Sequence, residues 1–280
     1  MKSASARFLS ALAGLCLLAG CGRPTVDRVE WPAMGTVAAV QVRGTTVTAE
    51  SGRLVADTMA VFKDVTDALD AHSVVSELNR LAPLDDDAVC ATCAARMRPC
   101  YEAAFALQAA SGGAFNPRWR GRNTLDLGAI AKGFAVDLAA DGAVAADGAL
   151  VDLGGTVKSV RGTWKTGIKD PSGEGFAAVV ELHAGEALAT SATYYRGSHI
   201  CDGRTGKPVA NGVASVTVLC NSAMWADGLS TTLFVLGPEE GRKFLDDKAA
   251  ALVGDREVSA LWIMDGGRQK IYGNVRFQGN

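Results

Sequence analysis

Several absences bound what this chain can be. It has no extended basic run, and 28 Lys+Arg against 30 Asp+Glu leave a net charge of −2. The cationic stripe that a nucleic-acid or polybasic membrane partner needs is therefore missing. The N-terminal apolar run, Phe8–Leu18, is shorter than the ~20 residues a retained membrane-spanning helix requires. Cys90-Ala-Thr-Cys93 has redox or zinc spacing, but no second such pair and no suitably placed His complete a zinc site. It also lacks the preceding strand of a thioredoxin-like motif. No repeat, low-complexity tract or internal linker marks off separable domains.

What is present at the N-terminus reads as a secretory signal over residues 1–20. Lys2 and Arg7 supply the positive end, Phe8–Leu18 the apolar stretch, and small residues precede Cys21. Leu18-Ala19-Gly20-Cys21 resembles a bacterial lipobox, which implies lipidation at Cys21, a tether over 21–28 and a single body over 29–280. Gly22, not Asp, follows the cysteine, so by that resemblance nothing commands inner-membrane retention. The alternative is a plain secretory signal with an incidental cysteine. Cys16 leaves with the signal, and Cys90, Cys93, Cys100, Cys201 and Cys220 remain in the body. An odd number leaves at least one free thiol, and an oxidising compartment would favour a local disulfide among Cys90, Cys93 and Cys100.

Trp31–Val42 reads as a strand interrupted at Met34-Gly35-Thr36. Val55, Met59, Phe62, Val65 and Leu69 recur at spacings of three and four, which predicts an amphipathic helix over Ser51–Ala71. Ser76–Leu81 reads as a short helix and Pro83–Asp87 as an acidic loop. A second amphipathic helix over Arg96–Ala110 tolerates Pro99 in its first turn and stops at Ser111-Gly112-Gly113. Ala114–Trp119 reads as extended, ahead of the arginines of 118–122. The second half is strand-rich: Ala149–Leu153, Trp164–Ile168, Ala177–Leu182, Ala187–Ser191 and Ser215–Leu219. A helix over Met224–Val235 follows, Pro238 starts another, and Leu261–Met264 pairs with Lys270–Tyr272 around Gly266-Gly267. Strands clustered around a few long helices predict an α+β fold with an antiparallel sheet.

Two stretches carry candidate chemistry. In Leu125–Asp137, LDLGAIAKGFAVD, an acid (Asp126), a glycine turn (Gly128) and Lys132-Gly133 at the start of a helix running to about Asp147 make a place where a phosphate could sit. The same pattern also describes an ordinary strand–turn–helix junction. In Ser222–Leu236, Asp227 and Thr231 stand four apart, one turn from each other on one helix face. A carboxylate and a hydroxyl so placed suit a hard cation such as Mg²⁺. Equally, Asp227 could cap its helix while Thr231 bonds back to a carbonyl.

Together the motifs resemble those of the ApbE family of FAD:protein FMN transferases over nearly the whole mature length. The matching stretches stand in family order: Met34-Gly35-Thr36; Ser76–Leu81; Ser111–Asn116, SGGAFN; LDLGAIAKGFAVD; Ala149–Gly155, ALVDLGG; Gly167–Pro171; Ala187–Ser191; His199–Pro208, HICDGRTGKP; and Ser215–Gly237. The resemblance implies a T-fold-like antiparallel sheet core with packed helices and a smaller α/β subdomain. It implies a lipid-anchored enzyme on the periplasmic face of a bacterial membrane that cleaves FAD with Mg²⁺. The FMN half would pass through a phosphoester to a Thr or Ser of an extracytoplasmic target flavoprotein, releasing AMP.

Carried over residue by residue, Asp227, Thr231 and the carbonyl of Ala129 match metal ligands. Met34, Ala114, Phe115, Asn116, Asp126, Lys132 and Cys201 match positions that contact FAD, and His199 matches the general base. Four features depart from the family pattern: His72 stands where many relatives carry a Tyr over the flavin ring, Asn116 replaces an Asp, Gly203 a Pro, and Cys201 an aliphatic residue. The connection from Asn116 to Asp126 is also short. These departures predict a trimmed, more open flavin mouth beside an intact metal and phosphate end. Two other readings stay open: a pyrophosphatase that splits FAD to FMN and AMP, and a flavin-binding lipoprotein without turnover, which would need neither His199 nor Asp227/Thr231.

Overall fold

The structure, a computed structural model, describes residues 25–44, 49–142, 148–173, 175–193, 200–274 and 277–278. The signal segment, Cys21 and His199 lie outside the described residues. Strands β1 (Thr25–Ala33) and β2 (Thr36–Gly44) form a hairpin, followed by helices α1 (Ala49–Leu69), α2 (Glu77–Leu81), α3 (Asp86–Thr92), α4 (Arg98–Ala110) and α5 (Ala131–Asp141). Strands β3 (Ala149–Leu153), β4 (Thr156–Arg161), β5 (Trp164–Lys169), β6 (Phe176–Leu182) and β7 (Ala187–Ala192) come next. The two-residue strands β8 (Cys201–Asp202) and β9 (Lys207–Pro208), then β10 (Val213–Cys220), lead to helix α6 (Ala223–Val253). Strands β11 (Ser259–Met264), β12 (Gln269–Tyr272) and β13 (Phe277–Gln278) end the described chain.

Eight strands make one sheet in the order β1-β2-β3-β4-β7-β10-β11-β12, and β13-β6-β5 make a second. Every pairing in both is antiparallel. Period-2 alternation decides what each face meets. On β11, Ala260 and Trp262 point into the core shared with the helices, while Leu261 and Ile263 join Trp164, Ile168, Val180 and Leu182 of the smaller sheet. The large sheet is thus covered by helices on one face and by the three-stranded sheet on the other. Among the described residues no helix is long and apolar enough to cross a membrane.

Most predicted elements are present within a few residues, and the exceptions have local causes. The acidic stretch after Pro83 is not simply a loop. Asp85 caps α3 by accepting the Ala88 N–H at 2.8 Å, and Asp86 and Asp87 occupy its first turn, where the helix dipole favours acids. Ala114–Trp119 is a series of turns, not an extended segment: Gly112 and Gly113 at φ 58° and 84° reverse the chain as α4 ends. Helix α5 stops at Asp141, capped by Gly142, short of Asp147. Strand β1 starts inside the stretch read as a tether, and β4 fills a segment with no predicted element. Helix α6 breaks at Gly237 (φ 71°, ψ 177°), so that Pro238 does begin a second helical piece. The described cysteines are free thiols, Cys90, Cys93 and Cys100 included, so no disulfide links the latter three. Cys100 is fully buried in α4 and burial pushes its thiol pKa far up, while Cys93 directs its Sγ to the Cys90 carbonyl at 3.5 Å.

Candidate active site

The junction Leu125–Lys132 folds back on its own carboxylate. Asp126 accepts the Gly128 N–H at 2.9 Å on one oxygen, and its other oxygen meets the Trp119 indole N–H and the Arg120 guanidinium, both at 3.4 Å. Lys132, in the first turn of α5, donates to the Gly128 carbonyl at 2.9 Å. Its Nζ also lies 3.5 Å from Asp227. The next amide, Gly133 N–H, donates to the same Asp227 oxygen at 2.9 Å. Two amides of this turn are therefore satisfied by carboxylates from within the chain. Lys132, its side chain a quarter exposed, is the cationic group at the start of α5.

Glycine is required at 133 by contact. A Cβ there would stand 2.1 Å from the Ala223 carbonyl oxygen and 2.8 Å from the Asp227 Cβ. Helices α5 and α6 consequently meet backbone to backbone at the point where Asp227 points out of α6. The Asp227 side chain is 6% exposed. Burial pushes its pKa up, against the Lys132 ammonium, the Gly133 N–H and the Thr156 hydroxyl, which pull it down.

The structure does not bear out the capping reading of Asp227 and Thr231. Asp227 does not cap α6: Ser222 does, accepting the Trp225 N–H at 3.3 Å. Asp137 completes that cap from α5 by accepting the Ala223 and Met224 N–H groups, each at 2.9 Å. The Ser222 hydroxyl and Lys158 Nζ also donate to Asp137, each at 2.7 Å. In this stretch the hydroxyls that bond back along the helix are those of Ser230, to Asp227 O at 2.8 Å, and Thr232, to Gly228 O at 2.9 Å; Thr231 instead shares a 2.9 Å hydrogen bond with Ser191 of β7. Sequence reasoning missed Asp137, Ser191 and Ser222. Asp137 had a signal, as the acid one turn after Gly133 at the end of Leu125–Asp137.

Lys132 thus joins the Asp126–Gly128 turn to Asp227 at the α5–α6 junction, with Thr231 one turn along α6 and bonded to Ser191 of β7. Ala129 is half-buried in the turn just before the N-cap Ile130. No cluster of three or more His, Cys, Asp or Glu able to hold a metal occurs among the described residues. The donor set is instead one buried carboxylate with hydroxyl and carbonyl oxygens. That composition fits Mg²⁺, which takes one or two protein carboxylates and completes its shell with water and substrate phosphate. The counter-charge Asp227 has here is Lys132, a lone ammonium reaching in from the rim.

The remaining predicted residues fall into two groups. Met34 forms the two-residue turn of the β1–β2 hairpin with Gly35, and is the described non-glycine residue with positive φ, at 47°. Such strain in a non-glycine residue is uncommon and concentrates at functional sites. The turn abuts that of β3–β4, where a Cβ on Gly154 would lie 2.7 Å from Thr36 Oγ1. Ala114 and Phe115 are buried, with Phe115 N–H held by Ser111 Oγ at 3.1 Å. Asn116 meets Gly203, and Cys201 lies half-buried on β8. His72 is exposed on a loop that Asn79 Nδ2 fixes through the Ala71 and Ser73 carbonyls, at 3.0 and 2.9 Å.

With this geometry in place, comparison with known proteins is informative. Residues 118–253 match the ApbE family model, a span just under half of the chain that contains Asp126, Lys132, Asp227 and Thr231. The chain is 38% identical over 134 residues to an FAD:protein FMN transferase of Vibrio cholerae, covering 42% of this chain and 40% of the relative. It is 40% identical over 157 residues to one of Rhodobacter capsulatus, covering 51% of this chain and 28% of the relative. The sequence matches therefore span less than half of the length of these curated relatives. Solved ApbE structures align over far more. The ApbE protein of Thermotoga maritima superposes with a TM-score of 0.71 at 23% identity, covering 88% of this chain and 96% of that one. The flavin transferase ApbE of Vibrio cholerae gives 0.67 at 24%, covering 89% and 97%. The mixed helix and antiparallel-sheet architecture is the ApbE fold.

Proposed function

We propose that this chain transfers the FMN half of FAD to a Thr or Ser hydroxyl of a target flavoprotein, releasing AMP. The observation that carries the reading is the buried Asp227 carboxylate, held between Lys132 and the Gly133 amide inside the segment that matches the ApbE family. The relatives' printed activity, FAD:protein FMN transferase, supplies the reaction class.

In this reading Asp227, Thr231 and the Ala129 carbonyl would hold Mg²⁺, which would supply charge neutralisation for the pyrophosphate. Lys132 then turns from Asp227 and Gly128 toward the phosphates as negative charge develops on the leaving AMP. His199 accepts the proton of the acceptor hydroxyl as its oxygen bonds to the FMN phosphorus and the pyrophosphate P–O bond to AMP breaks. Asp126, tied to Gly128, fixes the turn that presents Lys132. The same proposal places Cys21 under lipid at the periplasmic face of a bacterial membrane. The short signal-like segment and lipobox series support that location.

The test is incubation of the chain without its signal and Cys21, residues 22–280, which keeps β1 whole, with FAD, Mg²⁺ and candidate acceptor proteins, followed by in-gel flavin fluorescence. A fluorescent acceptor band that survives denaturation and needs Mg²⁺ is expected. Release of FMN and AMP without any labelled protein would assign the pyrophosphatase activity instead, and FAD binding without release of AMP a non-catalytic flavin carrier. Cys21→Ser is expected to free the full-length protein from membranes, and a soluble wild type with an unmodified N-terminus would overturn the anchor.

A further inference from the structure

The hairpin of β8 and β9 is stiff in itself. Cys201 pairs with Pro208 and Asp202 with Lys207, and Val209 N–H donates to Ile200 O at 2.9 Å. Asp202 grips Arg204 through the backbone N–H, Nε and a terminal nitrogen at 2.7–3.1 Å, which holds the Asp202 pKa below the usual carboxylate range. This hairpin touches the loop after α4 through two hydrogen bonds, both centred on Gly203. Its N–H donates to Ala114 O at 3.0 Å, and its carbonyl accepts from Asn116 Nδ2 at 3.0 Å. The approach leaves no room for a side chain. A Cβ on Gly203 would stand 2.4 Å from the Asn116 Cβ and 2.5 Å from Gly113 O.

The other end of the Asn116 amide is also engaged, because Oδ1 accepts the Arg118 N–H at 2.7 Å. That contact fixes which way the amide points and aims Nδ2 at Gly203. Positions 116 and 203 are two of the departures noted in the sequence. An Asp at 116 would set a carboxylate against the Gly203 carbonyl, two acceptors face to face. A Pro at 203 would have no N–H for Ala114 and would bring a ring where a single Cβ already collides. The two departures therefore supply the two donors of one contact.

We infer that Asn116 is a positioning residue: with Gly203 it clamps the 200–209 hairpin to the loop after α4, and its amide serves this clamp instead of holding FAD. This rests on the proposed transfer reaction, in which Cys201 and Asp202 stand next to the base in sequence. Fixing the hairpin fixes the acceptor side of the site relative to the flavin side, and misplacement of reacting groups by about 1 Å costs on the order of 10²-fold in rate.

Asn116→Asp and Gly203→Ala are the variants to compare, by hydrogen exchange of peptides spanning 200–209 and by steady-state flavin transfer. Faster exchange confined to the hairpin is expected in both, with peptides of α5 and α6 unchanged. For Asn116→Asp, kcat is expected to fall on the order of tenfold to a hundredfold while KM for FAD stays within about twofold. A raised KM with kcat preserved would make Asn116 an FAD contact and overturn the inference. Unchanged hairpin exchange in both variants would do the same. If the wild type labels no acceptor, the proposed reaction fails by itself and the exchange measurement still decides the clamp.

Discussion

Gly133 donates its backbone N–H to the Asp227 carboxylate at 2.9 Å across the closest approach of α5 and α6. The contact joins the two stretches that carry the chemistry, ninety-four residues apart in sequence. Because the bond needs the helices in backbone contact, one methyl group tests it. Gly133→Ala would push a Cβ into Ala223 O and Asp227 Cβ. Overpacking of this kind typically costs about 1–3 kcal/mol, or a Tm lower by ~2–4 °C per kcal/mol in a chain this size. Melting curves are expected to show that loss together with flavin transfer falling below detection. A variant as stable and active as wild type would mean that the helices are not in contact here.

Asp227 gives the metal-free protein a pH dependence whose sign follows from its burial. The folded-state pKa lies above the unfolded carboxylate value of ~3.9. The native state therefore holds a proton that the unfolded state has lost, and stability falls as pH rises from the unfolded pKa through the folded one. Asp227→Asn removes that slope. In EDTA the variant is expected to melt close to wild type near pH 4 and progressively above it toward neutrality, while losing Mg²⁺-dependent transfer entirely. Thermal melts of both proteins across that range check it. A variant that is the less stable at neutral pH would show that pairing with Lys132 outweighs burial.

Asp137 stabilises without touching the reaction. It accepts two amides at the start of α6, the Ser222 hydroxyl and the Lys158 ammonium. Lys158 is 10% exposed and its other carboxylate, Asp141, is a solvent-exposed group 3.9 Å away, so removing Asp137 leaves a nearly buried charge poorly paired. Asp137→Ala is expected to destabilise by about 3–5 kcal/mol. Asp137→Asn, which keeps an acceptor for the cap, should recover part of this. Urea unfolding of the three proteins gives the comparison, and an Asp137→Ala midpoint equal to wild type would sink the assignment.

In the proposed reaction His199, as general base, is expected to separate binding from transfer. Losing a general base typically costs about 10²–10⁴-fold in rate and leaves ground-state contacts alone. His199→Ala is expected to keep wild-type FAD affinity and melting temperature while labelling an acceptor at least about a hundredfold more slowly. Labelling at the wild-type rate by a folded variant would remove His199 from the mechanism and make Asp202 the next candidate base.

The sequence by itself determined the elements and their edges wherever the cause is local. Glycines stop α4, break α6 before Pro238 and turn the β11–β12 hairpin, because backbone freedom and a missing N–H act within a residue or two. Apolar periodicity placed α1 and the faces of the strands for the same reason. The motif order also announced the family segment. Only the tertiary structure decided what the chemical groups do. From spacing, Asp227 could equally have been a cap. It ceases to be one because Ser222 and Asp137 fill that role, and Asp137 does so from another helix. Asn116 and Gly203, eighty-seven residues apart, looked like two unrelated departures until the hairpin packed on the α4 loop and made them one contact. Hydrogen-bond partners and close approaches depend on which surfaces meet, and no local pattern encodes that.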